Sequence, residues 1–194
     1  PENNFCTMNE LDAGSQVDLS NGNLGISWSS NSGHAVRSTF TVSSGKWYME
    51  FLRGTSNVTI GIAKQNNNGV SASSGWIGSS AYGSGGSYSY SSDANKYTNG
   101  SNTSYGASYG SGDVIGVAFD ADNGTITFYK NGSSQGQAYS SISGEFAFGI
   151  GYFGGSTGGT VAGANFGQDS TFSNTISQGG NSDENGIGDF KYSA

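Results

Sequence analysis

The chain is poor in the residue types that build most catalytic and metal sites. Its 194 residues include 1 Cys, 1 His and 1 Pro. A lone cysteine, Cys6, excludes an internal disulfide. It is read as a buried core thiol, with a free surface thiol as the alternative. A lone histidine, His34, excludes a three-histidine zinc site within one chain. A Ser-His-Asp triad would have to use His34, and no G-x-S-x-G elbow stands between a strand and a helix to supply its nucleophile. In the segment SNSGHAVRS, His34 is read as a residue of a loop or of the start of a strand.

Basic charge is equally scarce. Lys plus Arg total 7 against 14 acidic residues, which gives a net charge of −7 and a pI near 4.3. No basic stripe is available to neutralise a phosphate backbone, so no nucleic-acid partner is expected. An anionic membrane surface is an equally poor partner. No run approaches the ~18 apolar residues of a membrane helix, and no membrane insertion is expected. The first residues, PENNF, show no basic and apolar signal segment, so the chain is read as mature, a fragment or part of something larger. Few charges with many amides and hydroxyls match the composition of secreted and virion proteins, so a virion or extracellular location is expected.

Paired carboxylates are missing too. Retaining glycoside hydrolysis needs two carboxyl groups about 5 Å apart. The glutamates are Glu2, Glu10, Glu50, Glu145 and Glu184, and no two lie two to five residues apart on one strand. An enzyme would have to use Glu50 and Glu145. Asp120 and Asp122 lead into Asn123-Gly124, but an EF-hand loop needs glycine at its sixth position and glutamate at its twelfth. Gly124 is fifth from Asp120, and Asn131 is twelfth. The expectation is that Asp122 bonds the turn backbone while Asp120 faces solvent or pairs across the strand. Asp183, Asn185 and Asp189 read as a solvated loop. Glycine-rich runs such as residues 151–159 open no helix and so cradle no phosphate. No cofactor, no metal and no catalytic residue is assigned.

What the chain has is glycine and aromatic residues. There are 34 Gly, 11 Tyr, 11 Phe and 3 Trp, with only 33% hydrophobic residues overall. Large aromatic side chains can build a core despite few aliphatics. Residues 112–139, GDVIGVAFDADNGTITFYKNGSSQGQAY, read as three strands. Asn123-Gly124 and Asn131-Gly132 are the tight turns between them, since such pairs readily take positive φ. Two hairpins in succession predict an antiparallel meander. Residues 46–52 form another strand, with Trp47, Met49 and Phe51 on one face and Tyr48, Glu50 and Leu52 on the other. Both faces are apolar enough for a central strand. Residues 16–19 and 24–28 predict a hairpin, residues 39–42 and 58–63 further strands, and no helix of any length is evident.

The meander resembles the C-terminal half of a SPRY domain, in which a GD-x-IG strand leads through an aspartate-rich strand to NGTI-x-FY-x-NG. Other SPRY-like segments follow the expected order. They are GKWYMEF at 45–51, Gly61-Ile62-Ala63, SYSYSSDANKYTNGSNTSYG at 87–106, residues 146–152, and ANFGQ at 164–168. The resemblance spans residues 40–168. It implies an all-β fold, a concanavalin A-like antiparallel β-sandwich or jelly roll, acting as a binding module without a catalytic site. The opening NNFCTMNELD with LSNGNL, and the ending SDENGIGDFKYSA, resemble segments flanking SPRY-like domains in phage and marine viral structural proteins. One domain is expected over 1–194: an N-terminal hairpin segment (1–36), the sandwich core (37–168) and a polar C-terminal strap (169–194).

Residues 65–86 form a long polar, glycine-rich stretch, and long loops of this kind are often functional. Rigid aromatics among small residues are what recognition loops use. Trp76, Tyr82, Tyr88, Tyr90, Tyr152 and Phe153 are therefore the candidate ligand-binding residues, and Tyr97 and Tyr105 are read as structural. The partner is read as a protein or a glycan: a host-surface receptor or virion protein bound by loops at one end of the sandwich, with homo-oligomerisation inside a virion. A lectin-like module of a secreted bacterial protein and a concanavalin-like hydrolase are the alternatives.

Overall fold

The computed structural model describes residues 5–29, 33–65, 70, 75–154 and 162–193. Its strands form two seven-stranded sheets, and every pairing is antiparallel. The first sheet runs in the order β1 (Met8–Ala13), β4 (Ala35–Val42), β13 (Phe146–Gly154), β6 (Asn57–Ala63), β7 (Ser87–Ser91), β8 (Asn95–Thr98) and β9 (Ser101–Ser104). The second runs β12 (Ser133–Tyr139), β11 (Thr125–Lys130), β10 (Val114–Asp120), β5 (Lys46–Leu52), β14 (Ala162–Asn165), β3 (Gly25–Trp28) and β2 (Val17–Ser20). No described residue is α-helical; residues Ser80–Tyr82 make a single 3-10 turn. The molecule is an all-β antiparallel sandwich.

The period-2 pattern of the sequence accounts for the core. Met49 and Phe51 of β5, Ile115, Val117 and Phe119 of β10, and Ile126 and Phe128 of β11 point inward from the second sheet. They meet Val58, Ile60 and Ile62 of β6 and Phe146, Phe148 and Ile150 of β13. Residues 8–28 are woven into both layers, because β1 pairs with β4 of one sheet while β2 and β3 close the edge of the other.

The meander forms as predicted, with Val117 opposite Phe128, but its first turn differs from the expectation. Asp120 pairs with Thr125, so residues 121–124 make a four-residue loop in which only Gly124 has positive φ (61°). The Asp120 carboxylate accepts from the Asn123 backbone N–H at 2.9 Å, and Asp122 instead accepts from the Gly45 N–H of the neighbouring turn at 2.8 Å. Asp120 thus takes the turn-bonding role expected of Asp122, and Asp122 ties this turn to its neighbour. In a four-residue loop it is the last strand residue whose carboxylate reaches the N–H three positions on.

The outer face of the second sheet is covered by residues 166–193. Phe172 packs on Leu52 and Val114, with Ile176 and Tyr192 beside them. The Phe190 ring lies 5.3 Å from that of Tyr48 at 63°. A buried carboxylate anchors this segment. Glu50 is fully buried and accepts four hydrogen bonds. They come from the backbone N–H groups of Lys191 and Tyr192 (both 2.8 Å), Asn165 Nδ2 (3.2 Å) and the Tyr48 hydroxyl (3.2 Å). Burial pushes the Glu50 carboxyl above its ordinary range, against the pull of those donors.

Candidate functional site

Residues 75–82, in the long connection after β6, lie on the outer face of the first sheet. Two glycines of β13 make this close approach possible. A Cβ on Gly149 would stand 2.9 Å from Ile77 Cδ1, and one on Gly151 would stand 2.8 Å from both Trp76 Cα and Ile77 N. Ile77, Val70 and Tyr82 then bury Ala35 and Ala63 in a second small core on this face.

Arg37 organises the same region. It is 1% exposed, forms a two-pronged ion pair with Asp12 (2.6 and 2.8 Å), donates to the Lys64 carbonyl, and lies 5.7 Å from the Tyr82 ring centroid. The Tyr82 hydroxyl donates to the Gly75 carbonyl at 3.3 Å. Burial, opposed by the nearby guanidinium, raises the Tyr82 phenol well above its ordinary range. Tyr82 therefore pins the loop down and turns its ring inward.

Trp76 does the opposite. It is half-buried and packs edge-on against Tyr97 of β8 (5.1 Å, 87°) and Phe153 of β13 (4.8 Å, 78°). Tyr97 and Phe153 complete the triangle at 5.0 Å and 56°. Edge-to-face packing at these separations holds three rings rigid. The Tyr97 hydroxyl donates to Asp93 Oδ2 at 2.7 Å and accepts from Asn102 Nδ2 at 3.3 Å. Desolvation pushes the Asp93 carboxyl up, but hydrogen bonds from the Tyr97 hydroxyl and Asn95 together hold it below its ordinary range. Beside the cluster runs the edge strand β9, whose Ser101–Ser104 are all exposed. Half-buried Trp76 and Phe153 thus sit beside a strip of hydroxyls and an amide.

Three other candidate aromatics belong to the interior side of the sandwich. Tyr90 is 0% exposed and stacks against Phe128, with its hydroxyl on the Ala107 carbonyl. Tyr152 is 1% exposed and packs 6.1 Å from Trp28. Tyr88 is half-buried between Tyr139 (5.0 Å) and Phe146 (5.9 Å). Of the six residues singled out in the sequence, the fold brings Trp76 and Phe153 together. It adds Tyr97, which the sequence reading had placed among structural positions. Tyr97 stands opposite Ser89, which stands opposite Gly61. This row of small residues leaves space for the loop bearing Trp76, but only the pairing reveals it. Tyr105 acts as a structural residue: its hydroxyl donates to the Gly136 carbonyl and accepts from the Phe128 N–H.

The remaining chemistry is dispersed. Glu50 faces the C-terminal segment from β5, whereas Glu145 is exposed just ahead of β13 in the other sheet. No group of three or more His, Cys, Asp or Glu able to hold a metal occurs among the described residues. His34 is buried, its carbonyl accepting from Trp28 Nε1 (3.1 Å) and from the Tyr152 N–H (2.8 Å). Cys6 is buried beside Thr39, with Sγ 3.4 Å from Oγ1.

Comparison with known proteins places this geometry in context. A family model described as the SPRY domain matches residues 46–168. Among solved structures, the crystal structure of the SPRY domain of human HERC1 superposes with a TM-score of 0.68 at 18% identity, covering 83% of this chain and 98% of that one.

Proposed function

The chain belongs to the SPRY domain family, and on that premise we propose that it binds a protein partner through the Trp76–Tyr97–Phe153 cluster and the adjoining edge strand β9. SPRY domains are protein-interaction modules. The observation that carries the proposal is the convergence of three rings on one outer face, two of them half-buried, from a loop, β8 and β13. Partly exposed aromatics held rigid by their neighbours are efficient anchors, because little side-chain entropy is lost on binding. The exposed Ser101–Ser104 backbone offers hydrogen-bonding groups along the same surface.

The finer reading is a structural component of a phage or marine virus that recognises a host-surface receptor or another virion protein, from a virion or extracellular location. It rests on the likeness of NNFCTMNELD and SDENGIGDFKYSA to segments flanking such domains. Non-catalytic action is part of the proposal. The two acids an enzyme would need serve opposite sheets, and Glu50 already accepts four hydrogen bonds.

Selection from a displayed peptide library tests the binding site. Enriched peptides are expected to lose at least tenfold in affinity against Trp76→Ala and Phe153→Ala, while Trp47→Ala binds as wild type. Enriched peptides that bind both cluster variants undiminished would refute it.

A further inference from the structure

A second polar surface lies at the opposite end of the sandwich. Thr41, Lys64, Gln65, Gly144 and Glu145 line a cleft of about 390 Å³. That is within the range of small-ligand sites, roughly 300–1,000 Å³. Glu145 immediately precedes the first residue of β13, and Phe153 is near its last. At ~3.3 Å per residue the cleft and the aromatic cluster stand roughly 26 Å apart.

The polar groups of the cleft are only partly used. Thr41 Oγ1 donates to Glu145 Oε1, which leaves Oε2 without a hydrogen-bond partner among the described residues. Gln65 Nε2 donates to the Ser38 carbonyl at 3.0 Å, leaving Oε1 as an open acceptor among the described residues. The Lys64 ammonium lies 5.5 Å from the Phe146 ring centroid and has no hydrogen bond or ion pair within the described residues. Near this end Phe40 and Trp47 are each 44% exposed.

From this inventory we propose that the cleft binds a neutral, hydroxyl-rich saccharide unit. A ligand carrying one net charge meets attraction from one of Lys64 and Glu145 and repulsion from the other. A polyol avoids that conflict. Its hydroxyls donate to the Glu145 carboxylate and to Gln65 Oε1 while another accepts from the Lys64 ammonium. Each of these is a charge-assisted or amide hydrogen bond, and none requires burying an unpaired ligand charge. Among the described residues Glu145 is the one carboxylate lining the cleft, so no pair for acid–base hydrolysis is assembled from them and the proposed role is binding without turnover. This site is separate from the protein-binding surface proposed above.

The test is an amide-resolved NMR titration with maltotriose, cellotriose and mannotriose at about 10 mM, where a millimolar site is nearly filled. At least one is expected to give saturable shifts at Thr41, Lys64, Gln65, Gly144 and Glu145. Affinity should fall at least tenfold in Glu145→Ala and in Lys64→Ala, and stay unchanged in Ile187→Ala, an exposed position outside the cleft. Thermal unfolding of the variants verifies that they remain folded; both side chains are at the surface. No saturable shift with any of the three sugars would overturn the proposal. So would shifts that persist in both variants, or binding only of the zwitterionic peptide acetyl-Asp-Gly-Lys-amide.

Discussion

Replacing Glu50 by Gln tests how the C-terminal segment is held. The carboxylate offers lone pairs on both oxygens to four donors in a site with no solvent exposure. Glutamine keeps one acceptor and turns the other into an NH₂ that faces two donors. One buried backbone N–H is then left unpaired, at a cost of about 2 kcal/mol. By the equivalence of 1.4 kcal/mol to a factor of ten, amide exchange at Lys191 and Tyr192 should speed up roughly thirtyfold. The pH dependence gives a sharper test. Burial raises the folded Glu50 carboxyl above its ordinary 4.5. Below that value it is protonated in both states. As pH rises the unfolded chain ionises first, so the folded state binds more protons and loses relative stability, by at most about 1.4 kcal/mol per pH unit. The loss stops once pH passes the folded value. Glutamine does not titrate, so the stability gap between wild type and Glu50→Gln isolates this group. Urea denaturation from pH 3.5 to 8 should show the gap narrowing as pH increases, by ~1.4 kcal/mol for each pH unit between the two values. A gap that widens with pH would mean that the four donors outweigh burial, and the reasoning would be wrong.

Three further outcomes follow from the geometry. Arg37→Met should lower stability by about 3 kcal/mol in urea denaturation, since it strands Asp12 and the Lys64 carbonyl beneath the loop. Gly151→Ala should lift residues 75–79, because the added Cβ meets backbone atoms of Trp76 and Ile77. A cost of about 1–3 kcal/mol and faster exchange of the Gly75 and Ser79 amides are expected, and unchanged exchange would contradict the contact. Desolvation pushes Asp113 up, but donors from Gly110, Asn131 and Lys130 prevail and hold it below its ordinary 3.8. The stability it contributes is present above that value and lost as pH falls through the folded one. Asp113→Asn should therefore be less stable than wild type at pH 6, and the gap should shrink as pH falls below 3.8.

Much of the architecture was legible because its signals are local. Alternation in β5 and β10, and the glycine-bearing turns of the meander, depend on neighbours a few residues away. What was not legible depends on distant partners. Glu50 looked like a catalytic candidate by elimination, and its anchors are amides more than 140 residues later in the chain. Tyr97 stood in a segment whose family resemblance marked it as structural, and only the row Gly61–Ser89–Tyr97 brings it to Trp76. The polar composition of residues 65–86 suggested a functional loop but not where it lies. Gly149 and Gly151, some 70 residues downstream, let Trp76 and Ile77 lie close against the sheet. Tyr90 and Tyr152 share flanking glycines and serines with Trp76, so composition alone could not separate inward from outward rings.

The two outer faces of the sandwich are both upholstered by the protein's own chain, residues 75–86 on one side and 166–193 on the other. Each covering spans part of its sheet and leaves the β9 border open. Over those parts a neighbouring copy would meet a layer of chain and not the sheet itself. Sheet-on-sheet stacking would first require peeling one of these coverings away. The coverings thus work against layered stacking, and one of them carries Trp76 of the aromatic cluster out onto its own surface.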